Sequence, residues 1–271
     1  MKLFFTIFLS LFSLFVTAQT SSLINTDGKT VETRFKVPNG FIRSANEQNS
    51  YGYFLSSLPL KPHNSLVLYY IGSQKTKNNV YDAVVNLPIG DKDLHQCADA
   101  VMRLRADYLY QQKKYNQIHF NFTNGFKVDY DKWRKGYRIG LKGNSTFWKL
   151  SAKPSDSYED YWKYLEQIFM YAGTSSLSKE LKPIPFSDLK IGDVLIKGGF
   201  PGHAVIVVDV ATNSKTNKKV YLLAQSYMPA QDLQILKNPN NEAISPWYEV
   251  NNENEINTPE WTFKSNELKR F

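Results

Sequence analysis

The chain is 271 residues long, 42% hydrophobic and 21% charged, with a formal net charge of +8; this composition can bury a sizeable core and excludes an intrinsically disordered chain. After the N-terminal segment no apolar run reaches membrane-spanning length, and the basic residues are scattered rather than aligned in a stripe between aromatics. Neither a multi-spanning membrane protein nor a nucleic-acid binder is therefore indicated.

The N-terminus reads Met1-Lys2, then an apolar run from Leu3 to Val16, ending in Val16-Thr17-Ala18. A charged start, an apolar segment too short to span a bilayer comfortably and a small residue before the cut predict a signal peptide over residues 1–18, cleaved after Ala18. Residues 19–271 are expected to form a single α+β domain in the periplasm or outside the cell. No cysteine follows the apolar run, which excludes a lipoprotein anchor. The positive charge then draws the protein to anionic envelope polymers, or serves solubility alone.

Prolines at 59 and 62 forbid a long helix near the start of the mature chain. Two apolar runs, Ser65–Ile71 and Val80–Leu87, predict strands joined by a polar loop. Next comes a helix, capped by Asp93 with Gln96 three residues on. Leu94, Cys97, Ala98, Val101, Leu104 and Tyr108 recur at spacings of three and four and mark its inward face, leaving Asp99, Arg103 and Lys113 elsewhere on the surface. Residues 115–150 are rich in Phe, Asn and Gly and read as short strands and turns. A second helix is expected from Ser157 to Tyr171, closed by Gly173, with Tyr161, Trp162, Tyr164, Phe169 and Tyr171 as core.

The last part is strand-rich. Ile191–Lys197 is a strand entered by a turn that Asp193 caps. His203–Val210 is β-branched and nearly all apolar, hence buried on both faces, with Asp209 ending it at a loop. Residues 212–218 form a hairpin loop from which Val220–Ser226 returns antiparallel. The segment after Asn238, dense in Asn and Glu, is expected to hold little core.

Cys97 is the sole cysteine. In an exported protein such a thiol is buried, paired between chains, or used. A nucleophilic cysteine needs a lowered pKa, which a helix N-terminus supplies, and an imidazole to take its proton. Cys97 has the first; His203, at the mouth of a buried strand after Gly199-Phe200-Pro201-Gly202, is the candidate for the second. Gln225 or Ser226 on the returning strand would orient that imidazole. The Cys97 backbone N–H and the Gln96 side chain would receive the oxyanion.

A helix opening near a cysteine, followed by Gly192-Asp193-Val194-Leu195-Ile196 and Gly202-His203-Ala204-Val205-Ile206-Val207-Val208 and then a polar residue on the next strand, resembles papain-like cysteine hydrolases of the NlpC type. That resemblance implies a helix packed on an antiparallel sheet, here with a large aromatic-rich insertion between Cys97 and His203. It implies Cys97 as nucleophile, His203 as base and Gln225 as orienter. The sequence departs from those enzymes before and after the cysteine, where Gln96 stands in place of Asp, and Ala98-Asp99 in place of small residues. Over nearly the whole mature chain, Gln96–Ala106, Gly202–Asp209 and Leu223–Gln231 are similar to an exported bacterial family, domain of unknown function 4846. That similarity implies export and a single domain but no activity.

Two functions follow from these residues. One is hydrolysis of an amide or ester bond, with cell-wall peptide as a substrate class. The other is a non-catalytic binding module for wall glycan or peptide, stacking ligand on Trp133, Tyr137 and Trp148. Cys97 is equally a buried core thiol by helix periodicity. His95, Cys97 and His203 offer zinc donors, but residues two apart on a helix point in different directions, so neither metal nor cofactor is expected. His63 and His119 have no partner in the sequence. The oligomeric state stays open.

Overall fold

The computed structural model describes residues 22–143, 145–251 and 253–271; the expected signal peptide lies outside them. The protein is α+β, organised around an antiparallel sheet. In chain order its strands are β1 (Phe41–Arg43), β2 (Tyr81–Val84), β3 (Lys182–Pro183), β4 (Val194–Lys197), β5 (His203–Asn213), β6 (Lys219–Gln225), β7 (Gln234–Leu236), β8 (Tyr248–Glu249) and β9 (Leu268–Arg270). Among the described residues they run in the order β2-β7-β6-β5-β4-β9-β3, with β1 paired to the far end of β5 and β8 to β6.

β5 is the spine. Its β-branched run favours the extended backbone, and every residue from His203 to Ala211 is buried. Ala204, Ile206 and Val208 enter the larger core cluster with the helices. Val205, Val207 and Val210 join a second cluster with Leu189, Tyr221 and Phe263. Each fully buried valine contributes about 1.5–3 kcal/mol of apolar transfer, so the strand is fixed in register from both sides. The strand also runs past Val210 to Asn213, so Asp209 does not end it. Instead the Asp209 carboxylate lies inside the sheet, where Arg43 Nε donates to it at 2.7 Å. Burial pushes this carboxyl up to about 6 despite the guanidinium.

Helix α1 (Cys97–Gln111) packs on β5. It starts later than Asp93: Gln96 is the N-cap, and the Gln96 backbone N–H donates to Asp99 Oδ2 at 3.0 Å. The Asp93 carboxylate is occupied elsewhere, accepting from Ala230 N at 2.6 Å and Gln96 Nε2 at 3.0 Å. Nor is α1 exposed along one face. Asp99 and Arg103, expected on the surface, are buried, because helix α2 (Tyr158–Tyr171) and its neighbours cover the side away from the sheet. The Arg103 guanidinium lies 4.7 Å from the Trp162 ring and pairs with Asp107 and the Pro88 carbonyl.

Ser157 caps α2, its Oγ accepting from Asp160 N at 3.2 Å. Tyr161, Tyr164 and Phe169 are buried, while Trp162 and Tyr171 are partly so. α2 is closed by Ala172; Gly173 is extended and opens a further helix, α3 (Thr174–Glu180). Residues 115–150 form two hairpins, His119–Asn121 with Lys127–Asp129 and Tyr137–Lys142 with Ser145–Leu150, separated by a helical turn at Tyr130–Arg134. Segment Ser65–Ile71 is not a regular strand. It makes isolated bridges at Leu68 and Tyr69, between left-handed Asn64 and Gly72.

The segment after Asn238 departs most from expectation. Trp247, Tyr248, Ile256, Phe263 and Leu268 are all buried, a hairpin joins Glu255–Asn257 to Thr262–Lys264, and β9 completes one flank of the sheet. Its apolar residues are few and irregularly spaced among polar ones, so no period announces them. Trp247 joins the larger core cluster, and Tyr248, Ile256, Phe263 and Leu268 the second. Among the described residues no helix is long and apolar enough to cross a membrane.

Candidate functional site

The first residue of α1 and the first residue of β5 meet one cavity of about 360 Å³. Cys97 and Gln96 form part of its wall from the helix, His203 from the strand, with Phe169 and Trp261 as apolar wall and Asp99 alongside. The turn before His203 demands glycine. A Cβ on Gly202 would lie 2.4 Å from Thr174 Oγ1 and 2.5 Å from Gly199 O, and Gly199 itself sits at φ +120°. Thr174 Oγ1 donates to Gly199 O at 3.2 Å and ties this turn to α3.

β5 and β6 pair antiparallel, with Ala224 opposite Ile206. Alternation then puts Gln225 on the same face as His203 and Ser226 on the other. His203 Nε2 and Gln225 Oε1 are 2.9 Å apart. Ser226 is therefore not the orienter; its hydroxyl is engaged by the carbonyls of His95 and Gln231 at 2.9 and 2.8 Å. Rings enclose the imidazole: Tyr227 at 4.8 Å, Trp261 at 5.4 Å and Phe263 at 5.8 Å between centroids. Such a cover keeps water from competing for the His203–Gln225 hydrogen bond.

His203 turns toward the face of Val205 and Val207, whereas Ala204 faces α1 and its backbone N–H points at the Cys97 sulfur. Burial pushes the Cys97 thiol up to about 11, with the Asp99 carboxyl acting in the same sense and the N–H groups of Ala204, Ala98 and Cys97 opposing. Burial also lowers His203 to about 4, more than the Gln225 hydrogen bond restores, with Lys75 adding to the fall. At neutral pH the thiol and the imidazole are both uncharged. Asp99, fully enclosed, is held well above the usual carboxylate range by desolvation, and its Oδ1 has no partner.

Gln96 lines the cavity, but its amide nitrogen is turned to Asp93 Oδ1 at 3.0 Å. Donation to an oxyanion would require exchanging that bond; the Cys97 backbone N–H, at a helix start, has no intrahelical acceptor and faces the Cys97 sulfur. His95 is sealed away with both ring nitrogens unpartnered and its edge against Phe169. Among the described residues no group of three His, Cys, Asp or Glu side chains is placed to hold a metal ion. Trp133 is no stacking platform: it is buried, its Nε1 donates to Asp160 O at 3.0 Å and Arg138 covers its ring at 4.2 Å. Tyr137 and Trp148 are half-buried on the neighbouring hairpin.

Behind Gln225 lies a charged pair that the sequence does not reveal. Gln225 Nε2 donates to Glu260 Oε2 at 2.6 Å, and Lys75 Nζ donates to the same oxygen at 2.7 Å. Glu260 and Trp261 reach the site on the turn of the C-terminal hairpin, closed by Thr258 Oγ1 accepting from Trp261 N at 3.1 Å.

The fold and site define an α+β protein in which a helix-borne cysteine and a strand-borne histidine line one cavity, with a glutamine bonded to the histidine. The chain matches the family model described as domain of unknown function (4846) over residues 31–270, and it belongs to that family. No curated protein and no solved structure matches it.

Proposed function

We propose that this protein is an exported cysteine hydrolase of papain-like architecture, acting on an amide or ester bond, with cell-wall peptide as its substrate class. The observation that carries the reading is the shared cavity: Cys97 at the first position of α1 and a Gln225-bonded His203 at the first position of β5. Attack by Cys97 Sγ on a carbonyl carbon passes the thiol proton to His203 and places the oxyanion near the N–H groups at the start of α1. His203 then protonates the leaving amine or alcohol. Water, deprotonated by the same imidazole, releases the acyl group and restores the thiol.

Because both groups are neutral at rest, proton transfer accompanies attack rather than preceding it. Incubation with soluble wall peptides, followed by detection of newly exposed amines, tests the reading. Cys97→Ala is expected to lower cleavage at least about 10³-fold while costing about 1 kcal/mol of stability; loss of the fold, or unchanged cleavage, contradicts it.

A second reading, a binding module of the same fold, is favoured by the burial that raises Cys97 and depresses His203, opposite to a preformed ion pair. Its platform would be the cavity wall of Phe169 and Trp261 rather than Trp133. Such a module binds wall fragments equally well after Cys97→Ala.

A further inference from the structure

The polarity of every bond behind His203 is fixed by one residue that can only donate. Lys75, its side chain 3% exposed, gives hydrogen bonds to Glu260 Oε2 at 2.7 Å and to Gln231 Oε1 at 2.8 Å. Gln231 is locked in that sense, because its Nε2 donates to Pro229 O at 2.9 Å and its Oε1 also accepts from Gln234 Nε2 at 3.1 Å. Glu260, 9% exposed and salt-bridged, presents an acceptor-only carboxylate. The Gln225 side chain must therefore aim its NH₂ at Glu260, 2.6 Å away, and its carbonyl oxygen at His203, 2.9 Å away. A carbonyl oxygen facing Nε2 requires that nitrogen to carry the proton, and a neutral imidazole has only one.

We propose that Glu260, anchored by Lys75, is a positioning residue that holds Gln225 in one amide orientation and His203 in its Nε2–H tautomer, leaving Nδ1 as the ring atom that accepts a proton. The tautomer claim stands on the hydrogen-bond chain alone; its catalytic meaning rests on the hydrolase reading above. Without the charged pair, the Gln225 amide can flip, its NH₂ faces the ring, and the opposite tautomer becomes available. The result is an acceptor bound to Gln225 and a donor left for the substrate, the wrong arrangement for taking the thiol proton.

The test is the ¹⁵N spectrum of His203 at pH 7, assigned by its loss in His203→Gln, in the native protein, Glu260→Gln and Lys75→Met/Glu260→Gln. Glu260→Gln strands a buried ammonium and is liable to unfold; the double variant removes both charges. In the native protein the Nδ1–H form should be below about one part in ten, since one net hydrogen bond of ordinary strength supplies about a tenfold preference. In the folded double variant it should rise at least about threefold. A native spectrum dominated by Nδ1–H, or the same tautomer ratio in the folded double variant, overturns the proposal. Should neither variant fold, the native spectrum alone decides. The same samples are treated with p-nitrophenyl acetate and Cys97 acylation is followed by mass. A tautomer shift without acylation in any sample removes the hydrolase reading and leaves the role of Glu260 intact. Acylation with an indifferent tautomer does the reverse.

Discussion

Cys97 stands under two opposed influences. A helix N-terminus stabilises a negative charge by about 0.3–1 kcal/mol, less than one pKa unit, whereas full burial moves a titratable group by as much as 3–5 units. Burial wins, and the thiol sits at about 11. His203 shows the same dominance with the opposite sign, at about 4. Only neutral His203 accepts a proton, and a depressed value keeps it neutral further into acid. Acylation of Cys97 should thus hold steady as pH falls from 7 and drop only near pH 4; a fall centred near the ordinary histidine value of about 6.5 would show a solvated imidazole instead. Cys97 and His203 are legible from residue type and order, because a lone thiol and a strand-opening histidine are each conspicuous, whereas the choice between Gln225 and Ser226 needs the strand register. Glu260 and Lys75 are not legible. They lie far apart in the chain, no spacing connects them, and only the folded sheet brings both to Gln225.

Among the elements, continuous patterns announce themselves in the sequence, whereas the run Ser65–Ile71 makes only isolated bridges. β5, β6 and α2 follow from periodicity and a capping serine, since a continuous pattern outweighs local competition. The start of α1 was misplaced because Asp93 is drawn off by Ala230 and Gln96, a tertiary bond invisible in the sequence. The C-terminal hairpin carries Trp261 over His203 yet shows no period of its own. The turn before β5 is the element on which the histidine most depends. Gly202→Ala would force Thr174 Oγ1 and the Gly199 carbonyl aside. Overpacking of this kind costs about 1–3 kcal/mol, so the variant should melt earlier than the native protein and acylate Cys97 more slowly. An unchanged melting curve would mean that the turn yields freely.

Over the whole molecule, the family match covers the sheet, the helices that line the cavity and the C-terminal hairpin. The site is therefore built from segments spread over most of the chain: Lys75 before α1, Cys97 at its start, His203 and Gln225 in the central hairpin, Glu260 near the end. Such an assembly requires the complete fold before any chemistry, which is why antiparallel pairing and a two-sided core accompany it. The basic charge and the N-terminal apolar run motivate export and an anionic envelope partner, and neither alters the chemistry at the cavity. The most direct measurement is acylation by p-nitrophenyl acetate at pH 7, read as an acetyl mass on Cys97 in the native protein and in His203→Ala. A stable or turning-over Cys97 adduct is expected, forming at least about a hundredfold more slowly in His203→Ala; no adduct on Cys97, or equal rates in the two proteins, would rule out a Cys97–His203 hydrolase.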